Sequence, residues 1–361
     1  MTRETAPRLR VYRTGAARLS PDDTMKEPVA LVLIAMLLIG PLAVRWIEHN
    51  FEIYCFALGC AAIVLAGRLS LEVVAEAAKE PVWITLAVIV AGIVFRSVRM
   101  PLDRVFARVR KRVSRAVLTT ASVFAIAMLS SAITAIIAAL VLVEVIGMLQ
   151  LERPQREQIA VVGCFAIGMG AALTPLGGPL STLASTAMDM QFFGLFKLLA
   201  VWVIPAVVAL SLMAGYIGRG AYHRGAEGPH VRETIAKALI QGAEVFAFIA
   251  GVVMISHAFR EIAAEYIQPL SASTLFFGNT VSAIVDNATL VALEIRGMPP
   301  ERARSAILAL LIAGGMLIPG NIPNIICAGA MKIRSSRWAT IGIPIGLAML
   351  GIYFAALRFV S

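Results

Sequence analysis

One aspartate, Asp286, stands in the middle of an otherwise apolar stretch that reads Val281-Ser-Ala-Ile-Val-Asp-Asn-Ala-Thr-Leu290. At the centre of a bilayer an acid costs about 2.5–3.5 kcal/mol even on lenient insertion scales, so such a residue has a task. Ionised, it binds a cation; neutral, it carries a proton; at a chain turn, it caps a helix instead. Asn279, Thr280, Ser282, Asn287 and Thr289 surround it, and a second polar cluster, Ser130, Ser131 and Thr134, interrupts an earlier apolar run. Two further places break the helical pattern with proline and glycine: Thr174-Pro-Leu-Gly-Gly-Pro-Leu-Ser-Thr182 and Ile318-Pro-Gly-Asn-Ile-Pro-Asn324. Each proline lacks an amide donor and collides with the preceding turn. Gly177 and Gly178 leave the backbone between Pro175 and Pro179 free to unwind. Carbonyls released there, with nearby hydroxyls and amides, are hard oxygen donors suited to sodium. The candidate ion-binding set is Asp286, Asn287, Ser282, Ser131, Thr134, Thr174, Gly177, Gly178, Ser181, Asn321 and Asn324, with Asp286 as sodium ligand and proton carrier. Either break alone reads as a proline kink; two in corresponding places point to a site between them.

Glu244, in Ile240-Gln-Gly-Ala-Glu-Val-Phe-Ala-Phe248, is a second intramembrane acid, either a proton carrier or a packing partner of Gln241. Glu144, Glu294 and Lys197 lie near the ends of apolar runs, where snorkelling or loop solvation accounts for them. Cys55, Cys60, Cys164 and Cys327 fall inside apolar runs with no CxxC pair, and His49, His223, His230 and His257 form no HExxH. Neither a disulfide framework nor a zinc site is expected. With no GxSxG and no P-loop, an enzyme is not expected, and no cofactor is implied beyond transported or coupling sodium and protons.

The elements that position these groups follow from composition. Of 361 residues, 59% are hydrophobic and 15% charged, with a mean hydropathy of +0.83, against about half and a quarter in a soluble domain. Apolar runs near the roughly 20 residues of a bilayer span recur along the chain. An all-α, multi-pass membrane protein is expected, in a bacterial-type inner membrane, with lipid and small inorganic ions as partners. The net charge of +10 sits beside apolar runs, as membrane topology predicts, and not in a nucleic-acid-binding pattern. The chain divides into a tail (1–28), N-terminal transmembrane helices (29–95), a basic segment (96–115), a first hairpin, broken helix and closing helix (116–217), a linker (218–235) and a second set (236–361). Segment 96–115 carries eight basic residues against Asp103, with apolar residues every three or four. It is an amphipathic surface helix or a solvated loop, cytoplasmic in either form. Residues 116–148 would form a helix of roughly 50 Å, too long for a hydrocarbon core of about 30 Å. They read as a re-entrant hairpin of two half-helices, with its turn near Ser131.

The chain also repeats itself. Ser131-Ala-Ile133 matches Ser282-Ala-Ile284 at an offset of 151, and the stretch from Gly170 to Pro179 matches Gly314 to Pro323 at an offset of 144. Each half would hold a span, a hairpin, a broken helix and a closing span. Three crossings per half invert the second relative to the first. The basic stretches 96–115, 218–233 and 332–337 then share the cytoplasmic side, and the turn at 189–191 lies outside. The amino terminus conflicts with this count, because Arg3, Arg8, Arg10, Arg13 and Arg18 favour the cytoplasm. Either translation starts at Met25 or one early run does not cross.

At these residues the chain resembles the ion-transporter superfamily, which includes NhaD-type sodium/proton antiporters, arsenite exporters and dicarboxylate transporters. Ser282-Ala-Ile-Val-Asp-Asn287 resembles the antiporters' S-x-x-x-D-N hairpin motif, and Thr174-Pro-Leu-Gly-Gly-Pro179 and Pro319-Gly-Asn-Ile-Pro323 resemble their broken-helix motifs. The resemblance covers nearly all of the chain after Met25. It implies cation/proton antiport by a homodimer of the elevator type, in which a fixed scaffold holds a mobile transport unit carrying both hairpins. The first hairpin departs from the pattern: Ser131-Ala-Ile-Thr-Ala-Ile136 has no D-N pair. The competing expectation is sodium-coupled or uncoupled transport of a carboxylate or oxyanion, which a basic residue beside the site would favour; none stands deep in the chain.

Overall fold

The computed structural model describes residues 27–44, 46–47, 50–79, 81–82, 85–86, 89–90, 113–219, 235–266, 269–283, 287–295 and 297–360. All regular structure among the described residues is helical. In chain order the helices are α1 (Glu27–Ala43), α2 (Phe51–Leu65), α3 (Arg115–Ile133), α4 (Ala135–Met148), α5 (Arg153–Ala171), α6 (Pro179–Ala187), α7 (Gly194–Ile217), α8 (Ile235–Tyr266), α9 (Ala272–Gly278), α10 (Asn287–Glu294), α11 (Pro300–Gly314), α12 (Ile322–Met331) and α13 (Ser335–Val360). Single 3-10 turns occupy Pro175–Gly177, Asn279–Ala283 and Ile318–Gly320. Asp286, the arginines before Glu27, segment 96–112 and residues 220–234 of the linker lie outside the described residues.

Four of the described helices contain stretches long and apolar enough to cross a membrane: Arg115–Ile133, Gly194–Ile217, Gly242–Phe259 and Ser335–Phe359. With the composition, they make this a helical membrane protein. Several helices begin before the apolar runs that announce them. The helices that lead into the two breaks start at Arg153 and Pro300, ahead of the apolar stretches 159–173 and 306–317, because proline fits a first turn, where its missing amide has no partner to lose. Apolar runs mark membrane contact, and polar turns extend the helices beyond it. Residues 71–79 are also helical, an element that hydropathy does not announce; Ser70 Oγ opens it by accepting from the Val73 amide at 3.2 Å.

Apolar side chains gather in two clusters. The larger joins α3 to α7 with α9 to α13 and buries Phe165 and Trp338 almost completely. The smaller joins α1, α2, the 71–79 helix and α8, and touches the first at Ile136 and Ile322. At Gly59 and Gly251, α2 and α8 meet backbone to backbone: a Cβ on Gly59 would lie 2.5 Å from the Gly251 carbonyl oxygen. Small residues permit this approach where no hydrophobic drive separates helix from lipid. Further along α8, an ion pair between Glu261 and Arg68 and a hydrogen bond between His257 and Glu76 (3.2 Å) tie it to the 68–79 segment.

Contacts at the helix ends fix directions. At one end of the bundle Arg153 donates to the Lys332 carbonyl (3.4 Å), Arg337 to Glu157 (3.0 Å) and Gln155 to the Ile217 carbonyl (3.3 Å). Gly218 lies against Thr119 there. At the other, Arg302 donates to the Leu270 carbonyl (2.6 Å) and Arg358 to Ser273 (3.2 Å). Helices α5 and α12 are antiparallel, since Arg153 meets Lys332, Cys164 Sγ donates to the Pro323 carbonyl (3.5 Å) and Gly168 faces Asn321. Helix α3 leaves the first end and α4 returns to it, so residues 115–148 form a hairpin. Residues 270–294 open and close at the other end, so the two hairpins enter from opposite ends.

Candidate functional site

The half-helices meet around a cavity of about 30 Å³. Ala135 and Ile136 open α4 at its wall; Pro179, Leu180 and Ser181 open α6; Asn287 and Ala288 open α10; Asn321, Ile322 and Pro323 open α12. Gly168, Ala171 and Ala172 from the end of α5, and Leu311 near the end of α11, complete it with Gly177 and Gly178. Each half therefore contributes one hairpin and one break. The pairing is crosswise: α4 of the first hairpin packs on α12, and α10 of the second packs on α6.

Of the residues expected to bind an ion, Gly177, Gly178, Ser181, Asn287 and Asn321 line the cavity. Of the others, Thr174, Ser282 and Asn324 hold its walls, and Asp286 lies outside the described residues. Thr174 Oγ1 donates to the Ser131 carbonyl, pinning the first hairpin to the first break. Ser282 Oγ donates to the Leu310 carbonyl (3.2 Å), pinning the second hairpin to α11. Asn324 Nδ2 donates at 2.8 Å to both the Gly314 and the Leu317 carbonyls, which the second break frees from their helix. Its Oδ1 is buried with no hydrogen-bond partner, leaving an acceptor for a cation or a water. Glu244 is half-buried on α8, which packs along α2 and reaches α10, and does not line the cavity.

The first hairpin turns three residues later than expected, at Thr134 rather than Ser131. Thr134 has φ 74° and ψ 148° and caps α4 by accepting from the Ile137 amide. Ser130 and Ser131 instead donate back to carbonyls three residues earlier, at 2.6 and 2.8 Å, and stay in α3. In the second hairpin the 3-10 turn that holds Ser282 ends at Ala283, and helix resumes at Asn287.

Glu144 and Glu294 overturn their reading as snorkelling residues: they are 6% and 2% exposed. Their run ends lie inside the bundle, wrapped by neighbouring helices and not by solvent. Glu294 accepts from Asn279 Nδ2 at 3.0 Å, and the same nitrogen reaches the Ala306 carbonyl at 3.4 Å. Lys197 is exposed, as expected.

The breaks align one residue away from the match made by their prolines. Gly177 and Gly320, 143 apart, are equivalent: a Cβ on either would strike the carbonyl oxygen ending the preceding half-helix, Ala171 at 1.7 Å and Gly314 at 2.6 Å. What sets the register is where the returning backbone touches the helix it has left, not the proline. Sequence reading passed over other glycines for the same reason. Gly168 leaves room for the Asn321 amide and Gly314 for that of Asn287, so two cavity asparagines lie against glycines of the facing helices. Trp338 was likewise missed: it is fully buried and donates from Nε1 to the Gly315 carbonyl at 3.2 Å, satisfying another group freed by the break.

Comparison with curated proteins finds no match for the chain. A family model described as a protein of unknown function, DUF1646, matches residues 28–360. That interval spans both hairpins, both breaks and every helix bordering the cavity, and the chain belongs to the DUF1646 family.

Proposed function

We propose that the protein is a secondary active ion transporter, a sodium (cation)/proton antiporter in which Asp286 alternates between cation and proton. The observation that carries this reading is the convergence of two hairpins and two interrupted helices on one small cavity deep among buried side chains. Irregular backbone at membrane depth is tolerated where it is buried or lines a cavity. About 30 Å³ holds roughly two water-sized bodies, whereas sites for organic ligands run to about 300–1,000 Å³. A small inorganic ion suits it. Asp286 directly precedes Asn287, which lines the wall, and Ser181 and Asn321 add neutral oxygen donors.

The antiparallel course of α5 and α12 supports an inverted repeat. The two apolar clusters support an elevator, with α1, α2 and α8 as scaffold and the larger cluster as the moving unit of a homodimer. The eight basic residues of segment 96–115 favour a cytoplasmic position for the Arg153 and Lys332 end, in a bacterial-type inner membrane.

One observation favours an anion instead: α4, α6, α10 and α12 all present amino ends to the cavity, and helix amino ends carry partial positive charge. The volume limits that reading to a small inorganic anion. Proteoliposomes reporting internal pH and internal sodium separately decide the matter. Exchange predicts sodium-dependent alkalinisation or acidification that reverses with the gradient. Anion transport predicts charge movement without obligatory proton exchange, and no flux of either kind rejects both.

A further inference from the structure

A groove between α7 and α13 shares no lining residue with the ion cavity. It encloses about 600 Å³ and runs along α7 from Val201 to Met213 and along α13 from Ala356 back to Pro344. Twelve helical rises on either wall make it roughly 18 Å long, close to the ~15 Å of hydrocarbon in one leaflet. Its walls are almost wholly apolar, and the small Ala209 and Ala348 keep it open. The hydroxyl of Tyr353 is already engaged, donating to the Trp202 carbonyl.

Charge enters at one end. The Arg304 guanidinium lies 5.6 Å from the centre of the Trp202 ring, and its Nε is buried without a hydrogen-bond partner. Arg304 is in the second turn of α11, at the bundle end where Arg302 meets Leu270 and Arg358 meets Ser273. Trp, Tyr and Arg together mark the level of lipid headgroups. A buried charged donor without an acceptor is costly, and a guanidinium matches the oxygens of a phosphate.

We propose that this groove binds one acyl chain of an anionic phospholipid, with the lipid phosphate on Arg304. An acyl chain alone accounts for the length and the apolar walls but not for a guanidinium with an unpaired Nε at the groove's end; a phosphate on that guanidinium accounts for it. The site stands whatever ion the central cavity carries.

The test uses the full chain, purified in detergent, stripped of lipid and titrated with phosphatidylglycerol or phosphatidylcholine of identical chains. Native mass spectrometry counts bound lipid, and thermal unfolding reports its effect. One phosphatidylglycerol per chain is expected, with phosphatidylcholine about tenfold weaker, because its choline cation offsets the phosphate charge that draws the lipid to the Arg304 guanidinium. Arg304→Gln should bring phosphatidylglycerol down to the phosphatidylcholine level. Ala209→Phe, and Ala348→Phe across the groove, should weaken both lipids at least tenfold, while Val208→Phe, outside the lining on the same helix, should not. Equal affinity for the two lipids in the wild type would overturn the proposal. So would phosphatidylglycerol binding untouched by Arg304→Gln or by both groove-filling variants. Conversion of a dimer to a monomer by Ala209→Phe with lipid binding intact would assign the groove to a second copy of the chain instead.

Discussion

The two hairpins follow the same path with different chemistry. The second carries Asn279, Ser282, Asp286, Asn287 and Glu294 within sixteen residues, and its asparagine and glutamate join across the hairpin at 3.0 Å. The first carries two serines bonded back into their own helix and a threonine at the turn, and gives the cavity only Ala135 and Ile136. Shape is therefore shared by the halves, while polar function is concentrated in one. In the proposed transporter the second hairpin binds the ion and the first, which gives the cavity only Ala135 and Ile136, closes the opposite wall.

The largest effect expected from this asymmetry is at Asp286. Because cation and proton compete for one carboxylate, apparent cation affinity in proteoliposomes should fall as pH falls. Asp286→Asn should abolish exchange and that pH dependence while leaving the fold intact, since asparagine keeps the size and caps about as well. Ser131→Ala, in the first hairpin, should leave exchange within about twofold of wild type, since its hydroxyl serves only the Met128 carbonyl. Wild-type rate and pH dependence in Asp286→Asn would leave the asymmetry without a coupling role, and Glu244 would become the proton carrier to test.

The breaks should behave alike where the hairpins do not. Gly177→Ala and Gly320→Ala each push a Cβ into a backbone carbonyl, which cannot swing away as a side chain can, so each should cost about 3 kcal/mol. Thermal unfolding in detergent measures it. A tolerated alanine at one position and not the other would show that the breaks only look equivalent.

Much of this was legible in residue types, because proline and buried acid each carry a penalty that sequence displays. Both breaks and five cavity-lining residues follow from those penalties and the polar residues beside them, the first hairpin from a run too long for one span, and the second from its match to the first. Register was not legible: the prolines suggest an offset of 144, but contact between Gly177 and the Ala171 carbonyl, and between Gly320 and that of Gly314, sets 143. Nor were Glu144 and Glu294, since the end of an apolar run looks the same whether solvent or another helix lies beyond it. The 71–79 helix escaped because it has no long apolar run, only a serine cap and polar helix formers.

A smaller contrast lies in how each break satisfies its freed carbonyls. The first does so locally, with Ser181 exchanging hydrogen bonds with Gly178 and Thr182 reaching the Pro175 carbonyl at 2.6 Å. The second depends on Asn324, whose one nitrogen serves two carbonyls of the preceding segment. Asn324→Ala strands both in a site with no exposure and should cost about 2–3 kcal/mol. Ser181→Ala should cost about 1 kcal/mol, because Thr182 still bonds the Gly178 carbonyl. Equal losses would place Asn324 outside the load of the second break.

The smallest effect separates the turn at Thr134 from the helical Ser131 by sign rather than size. Thr134 holds φ 74° and ψ 148°, a region almost reserved for glycine, at a cost of about 1–3 kcal/mol. Thr134→Gly removes that strain but loses the cap on Ile137, worth about 1 kcal/mol, and loosens the unfolded chain by about 0.4–1 kcal/mol. Its net effect should lie near zero. Thr134→Ala keeps the strain and loses the cap, so it should be the less stable of the two by roughly 1 kcal/mol in thermal unfolding. At Ser131, three residues earlier inside α3, the order should reverse, because glycine within a helix costs about 0.5–1 kcal/mol more than alanine. Alanine more stable than glycine at both positions would mean that Thr134 is not strained and that Ser131 marks the turn after all.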